Sequence, residues 1–185
     1  MTELVVLLDE QRQPIGTADK ASVHTSSTPL HLAFSCYVFD AAGQLLITRR
    51  ALDKRTWPGV WTNSFCGHPG PGEEMEEAVH RRARQELGVT LHDLRLALPD
   101  FAYWARSAEG VVENEVCPVF TARTDQVPQP EPSEVAEWRW VPWENVVELA
   151  RRAPWAISPW AAEQIPLLEP LVSGTSGTEG ADTVR

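Results

Sequence analysis

The sequence predicts a mixed α/β domain, and three observations predict it. Short apolar runs separated by turn residues fill the first third, a helix with clear start and stop signals follows, and two helical segments come near the end. With 185 residues and 43% hydrophobic content, the chain has the size and apolar content of one domain with a real core. We expect residues 1–172 to form that unit. Residues 173–185, rich in Gly, Ser and Thr with few apolar groups, are expected to be a disordered tail.

The apolar runs Leu4–Leu8, Leu32–Phe39 and Leu45–Thr48 are separated by turn chemistry at Asp9–Gly16 and Asp40–Gly43, the pattern of antiparallel strands. Pro71-Gly72-Glu73-Glu74 opens the clearest helix, whose acidic first turn suits the positive end of its dipole, and Gly88 after Leu87 terminates it. Leu94–Arg106 and Val111–Ala122 flank Ala108-Glu109-Gly110 like a hairpin, and Glu137–Val141 is a shorter strand. The Gln126–Ser133 segment carries three prolines and reads as a loop. Helices over about Trp143–Arg152 and Pro159–Leu168 close the fold, and no internal repeat is found.

A formal charge of −10 leaves no net attraction for a polyanion, so nucleic acid is not an expected partner. No basic, apolar leader opens the sequence and no run reaches the roughly 20 apolar residues of a membrane span. An unpaired set of three cysteines, Cys36, Cys66 and Cys117, reads as reduced thiols. These features point to a soluble cytoplasmic protein that needs no membrane. The oligomeric state stays open, a monomer included.

Three of the five histidines, His24, His31 and His68, lie close to Cys66 or the loops around it. Each alone is more often a surface or core residue than a metal ligand. Glu113-Asn114-Glu115 raises their standing, because side chains two apart on a strand share a face and two inward carboxylates call for a cation. Three imidazoles and two carboxylates suit manganese, zinc or magnesium. Cys66-Gly67-His68 precedes a glycine-bearing loop, where a thiol can be exposed and perturbed, whereas Cys36 and Cys117 read as buried and inert. Basic residues cluster at Lys20, Arg49-Arg50, Lys54-Arg55 and Arg81-Arg82, a mixed set that suits a small diphosphate, with Arg49 and Arg55 the members read as solvated.

The strings LHLAFSCYVF, TRRALDKRTWPGVWTNSFCGHPGPGE, GVVENEVCPVF and PWAISPW together resemble the type 1 isopentenyl diphosphate isomerase branch of the Nudix superfamily, from about Leu4 to Trp160. The superfamily box, G-x5-E-x7-R-E-U-x-E-E-x-G-U, is matched at Gly67, Glu73, Arg81, Glu86, Gly88 and Val89. Arg82 and Gln85 stand where the box has metal-binding glutamates, and Ala83 where it has a bulky aliphatic residue. Losing two of the carboxylates that gather magnesium around a pyrophosphate argues against phosphoanhydride hydrolysis.

The resemblance implies a Nudix-type α/β/α sandwich, with a mixed sheet between helices and the site at the loop ends of the strands. It implies that His24, His31, His68, Glu113 and Glu115 hold the first metal ion (Mn2+, Zn2+ or Mg2+) and that Cys66 and Glu115 are the acid–base pair, their division of labour open. It further implies that Glu86, with the Cys66 backbone carbonyl, meets a Mg2+ bound to the substrate diphosphate, and that Lys20, Arg50, Lys54 and Arg82 contact the phosphates. Tyr103 is similar to a tyrosine bonded to the catalytic glutamate, Trp160 to an aromatic facing the hydrocarbon, and no flavin is used. The activity so implied is interconversion of isopentenyl and dimethylallyl diphosphate through a tertiary carbocation. A diphosphate hydrolase and a non-catalytic prenyl-diphosphate or metal-binding module are the competing readings; released phosphate would mark the first, and binding without turnover the second.

Overall fold

The computed structural model of the protein describes residues 3–173, so the tail expected over 173–185 lies outside the described residues but for Ser173. In chain order the elements begin β1 (Leu4–Leu8), β2 (Pro14–Asp19), α1 (Lys20–Val23), β3 (His31–Leu32), β4 (Phe34–Phe39), β5 (Gln44–Arg50), β6 (Trp61–Thr62) and β7 (Phe65–Gly67). There follow α2 (Met75–Arg82), a π turn (Ala83–Leu87), β8 (His92–Leu98), β9 (Ala102–Arg106), β10 (Val112–Val116), β11 (Val119–Arg123), β12 (Val135–Pro142), α3 (Trp143–Arg152) and α4 (Pro159–Ser173).

The strands divide over two sheets, where a single mixed sheet was expected. One runs β2-β1-β3-β10-β9; the other runs β12-β5-β4-β11-β8, with β6 on β5 and β7 on β4. Three of the expected apolar runs therefore break in the middle and change sheet. The breaks fall at Ala33, at Pro99-Asp100 and at Cys117-Pro118. Proline offers no N–H to a ladder, which makes the last two natural crossing points. Backbone bonds tie the crossings together: Ala33 N–H donates to the Val116 carbonyl (2.9 Å), Ser35 to Pro118 (3.1 Å) and Cys117 to Phe101 (2.8 Å). The hairpin around Ala108-Glu109-Gly110 is as expected, β9 pairing antiparallel with β10. The turn expected over Asp9–Gly16 is shorter, because the Asp9 carboxylate gathers the Gln11 and Gln13 N–H groups and frees Pro14 to start β2.

β4 is buried on both faces, and its alternation builds two cores. Phe34, Cys36 and Val38 pack with Val79, Ala83 and Leu87 of the α2 segment. Tyr37 and Phe39 pack with Val146 and Val147 of α3 and Trp160, Ile165 and Leu168 of α4. Helices thus cover both faces of the second sheet, the expected α/β/α sandwich. Each fully buried aliphatic or aromatic side chain there contributes about 1.5–3 kcal/mol. The α4 helix passes the expected Leu168 end, its buried Trp160, Ala161, Ile165 and Leu168 holding it across Pro166.

The last turn before Gly88 is a π turn, a form that concentrates at functional sites. Gly88 ends it in the left-handed region (φ 66°), as the sequence pattern requires. Glu73 pins the loop ahead of α2, accepting from Gly70 N–H (2.7 Å) and from Arg81 Nε and Nη2 (2.7 and 2.8 Å). Gly67 is needed for closeness: a Cβ there would lie 2.7 Å from Phe34 Cζ and 2.8 Å from Arg82 Cγ. Gly67→Ala should therefore cost about 1–3 kcal/mol of stability, read from the denaturant midpoint; an unchanged midpoint would show that the two side chains yield freely.

Candidate active site

The chain crossings bring the chemistry-bearing residues to one place. His24 caps the end of α1 and His31 opens β3, which runs parallel to β10 with His31 in register with Glu115. On the other side of β10, Tyr103 is paired with Glu115. Cross-strand neighbours share a face, so the three side chains converge. His68 arrives from the loop after β7.

The imidazoles of His24, His31 and His68 pack together, with centroids 5.2–5.9 Å apart. One ligand atom from each of these histidines and one from Glu115 all lie within 4.8 Å of one another. Glu113 joins at the edge, its Oε2 2.9 Å from His24 Nε2. Apart from these imidazole–carboxylate approaches, His24 Nε2, His31 Nε2, His68 Nδ1 and Glu113 Oε2 are buried with no hydrogen-bond partner among the described residues. Buried polar atoms in proteins are nearly always satisfied, and several imidazole nitrogens and carboxylate oxygens left with free lone pairs around one point fit a cation held among them. His31 is already oriented, its Nδ1 held 2.9 Å from the Pro29 carbonyl, as metal-binding imidazoles are.

The two carboxylates on β10 are pushed in opposite directions. Burial and the neighbouring Glu115 charge raise the Glu113 carboxyl. Burial works against ionisation of Glu115 too, but the hydrogen bonds and charge of His31 and His68 outweigh it and hold that carboxyl well below the usual range. His68 Nε2 lies 3.1 Å from Glu115 Oε1, and the Tyr103 hydroxyl donates to Oε2 at 3.0 Å. Burial keeps the Tyr103 phenol neutral by raising its pKa far above 10, so it remains a donor. For His68 burial favours the neutral ring, with a pKa pulled down to about 4.

Cys66 lies on β7, paired with Ser35 of β4. Burial pushes its thiol up to about 12, only partly offset by hydrogen bonds with Ser35 and Asn63. At neutral pH this sulfur keeps its proton. Asn63 holds it: its Oδ1 accepts from Cys66 Sγ (3.4 Å) and Trp160 Nε1 (3.0 Å), while its amide nitrogen donates to the Cys36 and Phe65 carbonyls. One buried amide thereby orients both the thiol and the indole. Cys36 and Cys117 are buried, their thiols pushed well up by burial, as expected for inert cysteines.

A cavity of about 190 Å³ opens over these groups, and every expected site residue but His31 lines it. His31 sits behind the others, fully buried. The cations lie along the same cavity. Lys20 pairs with Glu3 at 2.6 Å, Lys54 with Glu134, and Arg82 with Glu86 and, at 3.4 Å, with Glu134. Arg50 donates to Thr56 O and Oγ1 and lies over the Trp160 ring, 5.4 Å from its centroid. Arg82 and Glu86 form a buried pair rather than a surface one, and burial raises the Glu86 carboxyl despite Arg82. Arg55 is exposed, as read from sequence, while also lining the cavity and donating to the Ala21 carbonyl (2.6 Å). Arg49 is held by Glu137 (2.6 Å) and does not line the cavity.

Sequence reasoning missed Glu134, Asn63, Ser35 and Gln164. Glu134 lies in an irregular segment just before β12, and only its place between Lys54 and Arg82 distinguishes it. The other three are uncharged polar residues in apolar stretches, and their burial is the signal, which a sequence does not print. Taken together, a partly buried thiol, a buried carboxylate, a cluster able to hold a divalent metal and a row of cations can bind a phosphorylated molecule and move a proton onto and off its uncharged part.

Comparison with known proteins gives a consistent picture. The NUDIX domain family model matches residues 29–167. The chain is 58% identical over 183 residues to a Clavibacter sepedonicus protein named isopentenyl-diphosphate Delta-isomerase, covering 99% of this chain and 96% of that one. It is 63% identical over 161 residues to the Frankia alni protein of the same name, covering 87% and 83%. The DR0079 crystal structure from Deinococcus radiodurans superposes with a TM-score of 0.67 at 23% identity, covering 89% of this chain and 98% of that one, a likeness of fold.

Proposed function

The chain belongs to the NUDIX domain family, within its isopentenyl-diphosphate Delta-isomerases, and from that premise we propose that it interconverts isopentenyl and dimethylallyl diphosphate by proton addition and removal at carbon. The observation that carries this reading is one cavity lined by the Cys66 thiol, the Glu115 carboxylate and the Trp160 indole together with Lys20, Arg50, Lys54 and Arg82; the upward push on the thiol and the downward pull on the carboxyl agree with it. An unactivated alkene is a very weak base, so it needs a proton donor pressed against it in a dry pocket and a base within reach of the resulting cation. Cys66 in its resting state is the donor and Glu115 the base, with Tyr103 steadying the carboxylate. The reverse reaction exchanges the two roles.

The diphosphate breaks no bond here, and its binding energy positions the short hydrocarbon between donor and base. Lys20, Arg50, Lys54 and Arg82 are the residues for that task; each has a present partner, Glu3, Thr56, Glu134 or Glu86, and further N–H donors with which to take a phosphate oxygen. Trp160 offers its indole to the cationic carbon, a contact worth about 2 kcal/mol or more when desolvated, once Arg50 turns to the phosphates.

His24, His31, His68, Glu113 and Glu115 would hold a divalent ion such as Mn2+, Zn2+ or Mg2+, which when bound adds positive charge that favours the ionised Glu115 carboxyl. Glu86 would meet a Mg2+ ion carried by the diphosphate. Its Oε1 already serves Arg82, so the fit there rests on phosphate oxygens supplying most ligands.

With isopentenyl diphosphate and magnesium in deuterated water, followed by NMR, we expect dimethylallyl diphosphate carrying deuterium at carbon and no released phosphate. Released phosphate would instead identify a hydrolase.

A further inference from the structure

Behind Cys66 lies a hydrogen-bond chain that the acid–base reading leaves unused. Ser35, Tyr37 and Gln164 are all fully buried, on the side of β4 facing α4. The Tyr37 hydroxyl donates to Gln164 Oε1 (2.9 Å), and Gln164 Nε2 donates to Ser35 Oγ (3.0 Å). Ser35 Oγ lies 3.3 Å from Cys66 Sγ and 3.4 Å from Cys117 Sγ. A hydroxyl has one proton and two lone pairs. Gln164 fills one lone pair and the Cys117 thiol can fill the other. The single Ser35 proton is then left for the Cys66 sulfur, whose own S–H is taken by Asn63 Oδ1. In that arrangement the chain runs from Tyr37 through Gln164 and Ser35 to the sulfur.

We propose that Ser35, aligned by Gln164 and Tyr37, is a positioning residue whose hydroxyl donates to the Cys66 sulfur and holds the negative charge that forms there during proton transfer. The proposal rests on the reading of Cys66 as one of the acid–base pair. In that step the S–H bond breaks and its electron pair stays on sulfur, while the alkene π pair takes the proton as a new C–H bond. The reverse reaction returns a proton from carbon to sulfur. The Ser35 proton is not transferred in either direction. A hydrogen bond to an anion is about twice as strong as one to a neutral acceptor, so the contact strengthens as charge develops on sulfur. Stabilisation that grows along the reaction raises turnover without tightening substrate binding.

The test is steady-state isomerisation of isopentenyl diphosphate by metal-loaded wild type, Ser35→Ala, Gln164→Met and the double variant, with thermal melts to check folding. Ser35→Ala should lower kcat roughly 10- to 100-fold with KM within about twofold of wild type. Gln164→Met should lower kcat by less, and the double variant should be no worse than Ser35→Ala, because Gln164 acts only through Ser35. A kcat within about twofold of wild type for Ser35→Ala, a matching rise in KM, or multiplied losses in the double variant would each overturn the proposal. Should Ser35→Ala not fold, Tyr37→Phe keeps the ring packing and should still lower kcat by roughly two- to fivefold at constant KM; an unchanged kcat overturns the proposal there. Absence of turnover by wild type would overturn the isomerase reading itself, and this inference with it.

Discussion

Replacing Cys66 with alanine should reduce isomerisation by about 10²–10⁴-fold, the range in which a positioned proton donor contributes. The loss should fall on kcat. The thiol lies beside the histidine cluster and the cations without bonding to any of them, since its partners are Ser35 and Asn63. Metal content and the KM for the diphosphate should therefore stay near wild type, and the small loss of volume should leave the fold intact. Turnover within about threefold of wild type would remove Cys66 from the mechanism. With the thiol pushed up to about 12, its acid form persists across neutral pH. The wild-type profile should show no loss of activity from thiol ionisation between about pH 6 and 9; a fall that disappears in Cys66→Ser would contradict this.

Glu115→Gln should damage two properties at once. Oε1 faces His31 and His68 at 3.3 and 3.1 Å, and Oε2 accepts from Tyr103, so one carboxylate joins the cation cluster to the proton-transfer site. The amide is nearly the same size but carries no charge, cannot take up a proton at neutral pH, and turns an N–H toward either the imidazoles or the phenol. We expect turnover to fall by about 10²–10⁴-fold and retained metal, measured by elemental analysis after gel filtration, to fall at least about tenfold. Normal metal with lost activity would confine Glu115 to proton transfer. Normal metal with normal activity would remove both roles.

Much of the local structure was legible in the sequence. The helix after Glu74, its stop at Gly88, the Ala108–Gly110 hairpin and the α3 limits each follow from local rules of capping, φ preference and periodicity, although the helix starts at Met75 and Pro71–Glu73 stay in the loop ahead of it. The charged and metal-ligating side chains were legible too, because imidazoles, carboxylates and guanidinium groups announce their chemistry wherever they fall. Long-range decisions were not. Whether Leu32–Phe39 is one strand or two depends on which partners Ala33 finds, and only the crossings at Pro99 and Pro118 supply them.

By itself, then, the sequence determined the α/β class, the limits of α3 and the identity of the reactive groups, since these depend on neighbours within a few residues. Only the tertiary structure decided that the strands form two sheets, that Glu113 and Glu115 are pushed apart in proton affinity, and that Asn63, Ser35 and Gln164 stand behind the thiol. Burial and electrostatic coupling are set by residues distant in the chain. A serine exposed to water and a buried serine beside a thiol are the same letter until the fold encloses one of them.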